Sequence, residues 1–315
     1  MEWSRETADR IESLSEYGLS LVINTLQSLE IVNPESGRLK RRIKTGFKPH
    51  LAYGDRYLIK NLEYLKVYSL DTINIYRFTD IWDQKLPNLV KYFLINDSLL
   101  VVEQNGLVRA FNWEDGREIW QLPAITQVEI GSGGSKQILL IFSTGELWSV
   151  NRLGQKVWVK RSESPLAAVP KVDKEDLVCL LQDGQLKIFD SETGRSIASW
   201  QTEIPERLRQ VDLSFGDNEV YILYNDSVNR GHLHVYHRWT GRLLWKVDWD
   251  EAVIPNLIQI SDAVIVGLSG TFEARERMFG LKVWEERTIG RITGLYFLDS
   301  RLMVIMGNRI YSYQL

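Results

Sequence analysis

The chain has 315 residues, of which 44% are hydrophobic, and a formal net charge of -3. This is a globular composition without the basic excess of a nucleic-acid binder. The single cysteine, Cys179, excludes an intramolecular disulfide and any zinc site built on two or more thiolates.

The first residues, Met1-Glu2-Trp3-Ser4-Arg5-Glu6, hold no basic segment followed by an apolar one. No apolar run reaches bilayer length. With one cysteine, which suits a reducing compartment, these features predict a soluble cytoplasmic protein with no membrane insertion and no nucleic-acid partner.

Turn signals divide the sequence into units of about forty residues, each predicted to hold four strands, a to d. In the first unit, an apolar run at 29–32 leads into the turn Asn33-Pro34-Glu35-Ser36-Gly37 and then the basic run Lys40-Arg41-Arg42 with Lys44. In the second, 65–70 leads to Asp71-Thr72, with Ile75 where later units carry tryptophan. Residues 79–88 follow as a predicted d–a loop containing Trp82. The third unit is the clearest. Apolar strands at 89–96 and 98–103 precede the turn Gln104-Asn105-Gly106, whose Asn-Gly suits a tight hairpin. Residues 107–112 then alternate apolar and polar, Glu114-Asp115-Gly116 turns the chain, and 117–121 ends the unit with Trp120.

The fourth unit runs through 137–142, Ser143-Thr144-Gly145, 146–151 and Trp158. It is preceded by Gly131-Ser132-Gly133-Gly134-Ser135-Lys136. That stretch lacks the Walker order and a following helix, so it is read as an a–b hairpin. The fifth runs through 177–181, Gln182-Asp183-Gly184, 185–190 and Ser191-Glu192-Thr193-Gly194. The sixth has 220–224, a long b–c loop at 225–230, 232–236 and Trp239-Thr240-Gly241. The seventh has 263–267, 271–277 and Phe279-Gly280. The eighth holds 301–306, Gly307 and 309–313 before the sequence given ends, so Trp3 at the other end is predicted to supply its outer strand.

A glycine, a second glycine ten positions on and a tryptophan four beyond that recur as Gly106/Gly116/Trp120, Gly231/Gly241/Trp245 and Gly270/Gly280/Trp284. Gly145/Gly154/Trp158 is one residue shorter, and in the fifth unit the tryptophan slips to Trp200. The second glycine closes a turn that needs a left-handed residue. Trp3, Trp120, Trp158, Trp200, Trp245 and Trp284 are expected to pack between neighbouring blades with the indole N–H bonded to backbone.

Phe189-Asp190-Ser191-Glu192-Thr193-Gly194-Arg195 and Tyr236-His237-Arg238-Trp239-Thr240-Gly241-Arg242-Leu243-Leu244-Trp245 resemble the PQQ-like (quinoprotein) propeller repeat, and the resemblance covers nearly the whole chain. It implies an all-β, eight-bladed β-propeller of four-stranded antiparallel blades, akin in outline to WD40 rings. It is read as a single unit over 1–315, closed by the N-terminal strand completing the last blade. The dehydrogenases of that family use a vicinal disulfide, a quinone and calcium. This chain has no Cys-Cys pair and no matching acidic cluster, so no cofactor is expected. The scaffold branch resembles a lipoprotein that helps insert outer-membrane barrels, which needs an export signal and a lipidated cysteine; neither stands near the start of this sequence.

His232 and His234 alternate onto one strand face as a candidate metal pair, with His237 nearby. The longer connections nominate Trp82, Asp83, Lys85, Asn225, Asp226, Asn229 and Arg230 as partner-binding residues, because insertions in repeat arrays mark the binding face. Trp82 also has a structural reading, as the missing tryptophan of the second blade. With no catalytic constellation, the expected function is a non-enzymatic protein-interaction scaffold in a larger assembly, binding a protein partner through these loops. The alternative is an enzyme or small-ligand binder with its site at the mouth of a central channel.

Overall fold

The computed structural model describes residues 1–17, 20–44, 49–53, 56–60, 64–70, 78–95, 98–123, 128–133, 137–142, 145–173, 175–205 and 208–315. Asp71, Thr72, Ile75, Gly134, Ser135, Lys136, Ser143 and Thr144, named above, lie outside them. The fold is an all-β propeller of four-stranded antiparallel blades. Contacts divide it into two compact units.

The first unit comprises Met1–Asn88, Glu114–Gly116 and Arg287–Leu315. It contains sheets over 11–44 and 49–85, and a third in which Gly294–Leu298, Arg301–Met306 and Arg309–Gln314 are joined by Trp3–Glu6. Trp3 pairs with Ser312 and Glu6 with Arg309 in antiparallel register. Thr7 adds a backbone and a side-chain bond to the Asn308 carbonyl, both 2.9 Å. The second unit comprises Leu89–Trp113 and Arg117–Glu286 and holds five sheets, over 89–123, 128–161, 171–201, 209–249 and 258–287. In every sheet wholly within one run of sequence, the strands follow chain order a-b-c-d.

Among the described residues, second strands form the core. Ala263–Gly267 is buried at all five positions, and Ser98–Glu103 at its four central ones. A strand covered on both faces reads as continuous apolar sequence. The fourth strand is the rim. Lys156–Arg161 and Lys282–Arg287 are exposed except at Trp158 and Trp284. Charged residues there protect an unpaired edge.

The c–d turns show why their sequences recur. Asp190 Oδ1 accepts from the Thr193 N–H at 2.7 Å and its hydroxyl at 2.8 Å, and Gly194 N–H donates to the Asp190 carbonyl at 2.8 Å. Asn33 fills the same role with Ser36 N–H at 2.9 Å. His237 does so through Nδ1, 3.1 Å from the Thr240 hydroxyl, which makes it a turn anchor.

The glycine closing each turn has a second reason to be glycine: a tryptophan from the preceding sheet lies on it. A Cβ on Gly37 would meet the Trp3 ring at 2.5 Å, on Gly154 Trp120 at 2.6 Å, on Gly194 Trp158 at 2.8 Å, on Gly241 Trp200 at 2.2 Å and on Gly280 Trp245 at 2.5 Å. The indole N–H donates to backbone carbonyls at Pro34 (2.8 Å, Trp3), Ser191 (2.9 Å, Trp158) and Arg277 (2.8 Å, Trp245). The indole N–H groups of Trp120 and Trp200 are buried without a partner, against the expectation. Trp284 is half-buried and packs edge-on against Phe272 of its own sheet, with ring centroids 5.6 Å apart.

Candidate functional site

Trp82 does not lie on a loop. Phe78–Lys85 is the outer strand of its sheet, and Val67 pairs with Trp82. Trp82 is 8% exposed, and its ring sits against Gly116 as the other docking tryptophans sit against theirs. The second blade therefore carries its tryptophan at Trp82 rather than losing it at position 75. Gln84 Nε2 donates to the Gly116 carbonyl at 2.9 Å and ties the strand to the same turn. Asp83 and Lys85 are exposed on this strand.

Asn225 is also a fold residue. It is completely buried, accepts from Val253 N–H at 2.8 Å, and donates to the Val253 carbonyl at 2.9 Å and to Gln210 Oε1 at 3.0 Å. The loop beyond it is built on Asp226. Its Oδ1 accepts the backbone N–H groups of Val228 and Arg230, both at 2.9 Å, and its Oδ2 takes Arg230 Nε at 3.1 Å. Asn229 closes the loop with φ +68°, a left-handed conformation that asparagine tolerates. The loop presents Val228, 68% exposed, with Asn229 and Arg230 beside it.

Strand Gly231–His237 starts where the loop ends, and its alternation puts His232, His234 and Tyr236 on one face. Tyr224, opposite His232 on the neighbouring strand, stacks on it with ring centroids 4.8 Å apart. The outer strand Leu243–Trp249 brings Asp248 opposite His232 and Lys246 opposite His234. His232 Nδ1 lies 2.6 Å from Asp248 Oδ1, and its Nε2 lies 3.3 Å from Asp226 Oδ2. His234, 5% exposed, has Nδ1 3.3 Å from the Tyr236 hydroxyl and Nε2 3.4 Å from the Tyr224 hydroxyl. Lys246 reaches Glu203 at 3.4 Å. His232 and His234 were legible as a pair; Asp248 was not, since it arrives only through strand pairing.

Burial, reinforced by Lys246, pulls the His234 imidazole down to about 4, so it is neutral at physiological pH. The backbone N–H of Arg230, followed by His232, the Arg230 side chain and Val228, holds Asp226 at about 2 despite opposing desolvation. Burial pushes the Tyr236 hydroxyl up to about 12 and also raises Tyr224.

The b–c edge of the same unit carries an apolar groove of about 400 Å³. Ile141, Phe142, Leu166, Val169, Pro170 and Val211 line it, with Gln182 at its polar end. Gly145, at one side of the groove, and Gln182 belong to b–c turns, as does the Asp226 loop. Gly131-Ser132-Gly133 lies in strand Val128–Gly133. In the basic run, Arg42 is occupied by Glu30, with Nε 2.7 Å from Oε1.

This architecture, with its turn glycines and docking tryptophans, is that of a β-propeller of four-stranded blades. Residues 104–246 match the sequence model of the PQQ_2 family, described as "Outer membrane protein assembly factor BamB". A curated protein of that name from Nitrosomonas eutropha is 26% identical over 156 residues, 48% of this chain and 37% of that protein, so the match spans little more than a third of the relative's length. Among solved structures, BamB from Moraxella catarrhalis superposes with a TM-score of 0.71 at 16% identity, covering 99% of this chain and 98% of that one. Saccharomyces cerevisiae Sqt1 reaches 0.76 at 11% identity, covering 99% and 97%. A quinohemoprotein alcohol dehydrogenase from Pseudomonas putida reaches 0.66 at 12% identity, covering 97% and 72%. Structural likeness at such low identity speaks for the fold.

These matches overturn the cytoplasmic assignment. The family matched over 104–246 and the curated relative are both named for assembly of outer membrane proteins. A lone cysteine suits an exported protein as well as a cytoplasmic one. Among the described residues, no helix is long and apolar enough to cross a membrane.

Proposed function

We propose that this chain is a non-enzymatic scaffold of a protein assembly, and that its eight sheets are the blades of one closed ring over 1–315. It holds a protein partner along the b–c edge of the second unit, with the Val228–Arg230 tip and the apolar groove of that edge as the contact. The observation that carries this reading is the overlap between chemistry and kinship. The segment matched to the assembly-factor family, 104–246, contains both the groove and the loop. An exposed valine beside an arginine, on the same b–c edge as an apolar concavity, suits an interface centre with a polar rim. By this reading the chain, like the relatives' name, belongs to outer-membrane protein assembly.

The enzyme reading rests on fold alone, since one dehydrogenase shares the architecture. The adjacent cysteine pair of the quinone-dependent branch cannot form here. Cys179 is the only cysteine, and burial pushes its thiol up to about 12.

The test is co-purification of the tagged protein from its own cells, comparing wild type with Val228→Asp/Arg230→Glu. A stoichiometric partner present with wild type and lost from the variant, at unchanged melting temperature, is the expected result. A partner retained by the variant removes the loop from the interface.

A further inference from the structure

We propose that His232, His234 and Asp248 form a binding site for one divalent transition-metal ion of the zinc class, at the base of the loop whose tip is the proposed partner contact.

The three residues each offer one ligand atom, and these atoms lie within 4.8 Å of one another. Tetrahedral zinc takes nitrogen at about 2.0–2.1 Å and carboxylate oxygen at about 2.0–2.2 Å, so modest side-chain rotation closes the set. Two imidazoles and a carboxylate suit zinc, copper or nickel rather than magnesium or calcium. The two histidines come from one strand and the aspartate from its neighbour, so the backbone already fixes their spacing.

The arrangement of the remaining nitrogens is what sets this cluster apart from surface histidines. A metal-bound imidazole needs its second nitrogen held by a carboxylate, carbonyl or hydroxyl. His232 presents Nδ1 to Asp248, while its Nε2 faces Asp226 at 3.3 Å. Asp226 is itself fixed by two backbone N–H groups and Arg230. His234 has Nδ1 3.3 Å from the Tyr236 hydroxyl, and the Tyr236 hydroxyl in turn takes the Glu203 N–H at 2.9 Å. The candidate donors are then His232 Nδ1, His234 Nε2 and the Asp248 carboxylate; the ion would take His234 Nε2 from the Tyr224 hydroxyl 3.4 Å away, and would leave the buried His232 Nε2, which makes no hydrogen bond, with Asp226 Oδ2 behind it.

The charges are compatible with a cation. Lys246 is paired with Glu203 and Arg230 with Asp226, while Asp248 faces His232, its co-ligand in the proposed site. Asp248 has a side chain 61% exposed, so further coordination positions open to solvent. The ion would cross-link Gly231–His237 to Leu243–Trp249 at the base of the Asp226 loop, as an exchangeable surface site rather than a closed structural one.

The test is calorimetric titration of the untagged full chain with zinc chloride, and with cobalt chloride followed by visible absorption. One saturable equivalent is expected, with cobalt bands of a low-coordinate nitrogen and oxygen site. His232→Ala and Asp248→Asn should each weaken binding at least tenfold while leaving the circular dichroism spectrum unchanged. Asp226→Asn, which removes a positioning group without touching the ion, should weaken it about tenfold. His234 is buried, so His234→Gln is interpreted only alongside its melting curve, and the other variants decide. No saturable binding, or binding equal to wild type in both His232→Ala and Asp248→Asn, would overturn the proposal and leave a hydrogen-bonded cluster.

Discussion

The Trp82 ring lies so close to Gly116 that a Cβ on the glycine would sit 2.6 Å from Cγ of the indole. Gly116 is also at φ +70°. Gly116→Ala therefore meets both backbone strain and a ring that must move, and should cost about 1–3 kcal/mol. Trp82→Ala removes a buried aromatic and should cost roughly 3–5 kcal/mol. Denaturant unfolding of both variants measures this. Partner binding should fall with Trp82→Ala only to the extent that the protein unfolds.

Glu30 is completely buried between two arginines. Arg5, on the N-terminal strand, lies 2.7 Å from one carboxylate oxygen, and Arg42 lies 2.6 Å from the other. Arg5 belongs to the sheet completed by Trp3–Glu6, and Glu30 to the sheet over 11–44, so the triad pins the two together. Glu30→Ala strands two guanidinium groups and should cost about 3–5 kcal/mol. A drop in melting temperature with an intact far-ultraviolet spectrum at low temperature is the expected readout.

Stability should also fall on mild acidification. The His234 imidazole titrates near 4 in the fold, against 6.5 when unfolded. Between those values the unfolded chain binds more protons, so stability is full above about pH 6.5 and is lost as pH falls toward 4. Lys246 and His232 face the ring and deepen the shift, whereas Asp248 and Glu203 oppose it. The loss should reach up to about 3 kcal/mol, and His234→Gln should flatten that limb of the pH–stability curve. Asp226 acts in a separate window, its contribution disappearing below pH 3.8 as it is protonated.

Much of this was readable in the residues, because turns and burial are local. Gly194 and Gly241 announced their turns, and Trp3 announced an outer strand completed from the other end of the sequence. Trp82 was obscured because no glycine stands between Gly54 and Gly106, so the glycine spacing that exposed Trp120 is missing from its unit. His232 and His234 were visible through alternation. Asp248 lies sixteen positions further on and joins them only through the pairing of two strands. The Glu30 clamp likewise needs Arg5 and Arg42 from two different strands, and within the run Lys40-Arg41-Arg42 nothing in the sequence singles out Arg42. Asn225 looked like a loop tip because its neighbours are polar; its amide is instead spent on the Val253 backbone.

The scaffold claim is tested most directly by site-specific photo-crosslinking in living cells, with the probe placed at Val228 and, separately, at Leu153. Both positions are exposed, at 68% and 71%, but Leu153 lies on a c–d turn at the opposite edge of its sheet. The account predicts a discrete crosslinked protein from position 228 and none from 153. Equal crosslinking from both positions, or from 153 alone, would contradict it.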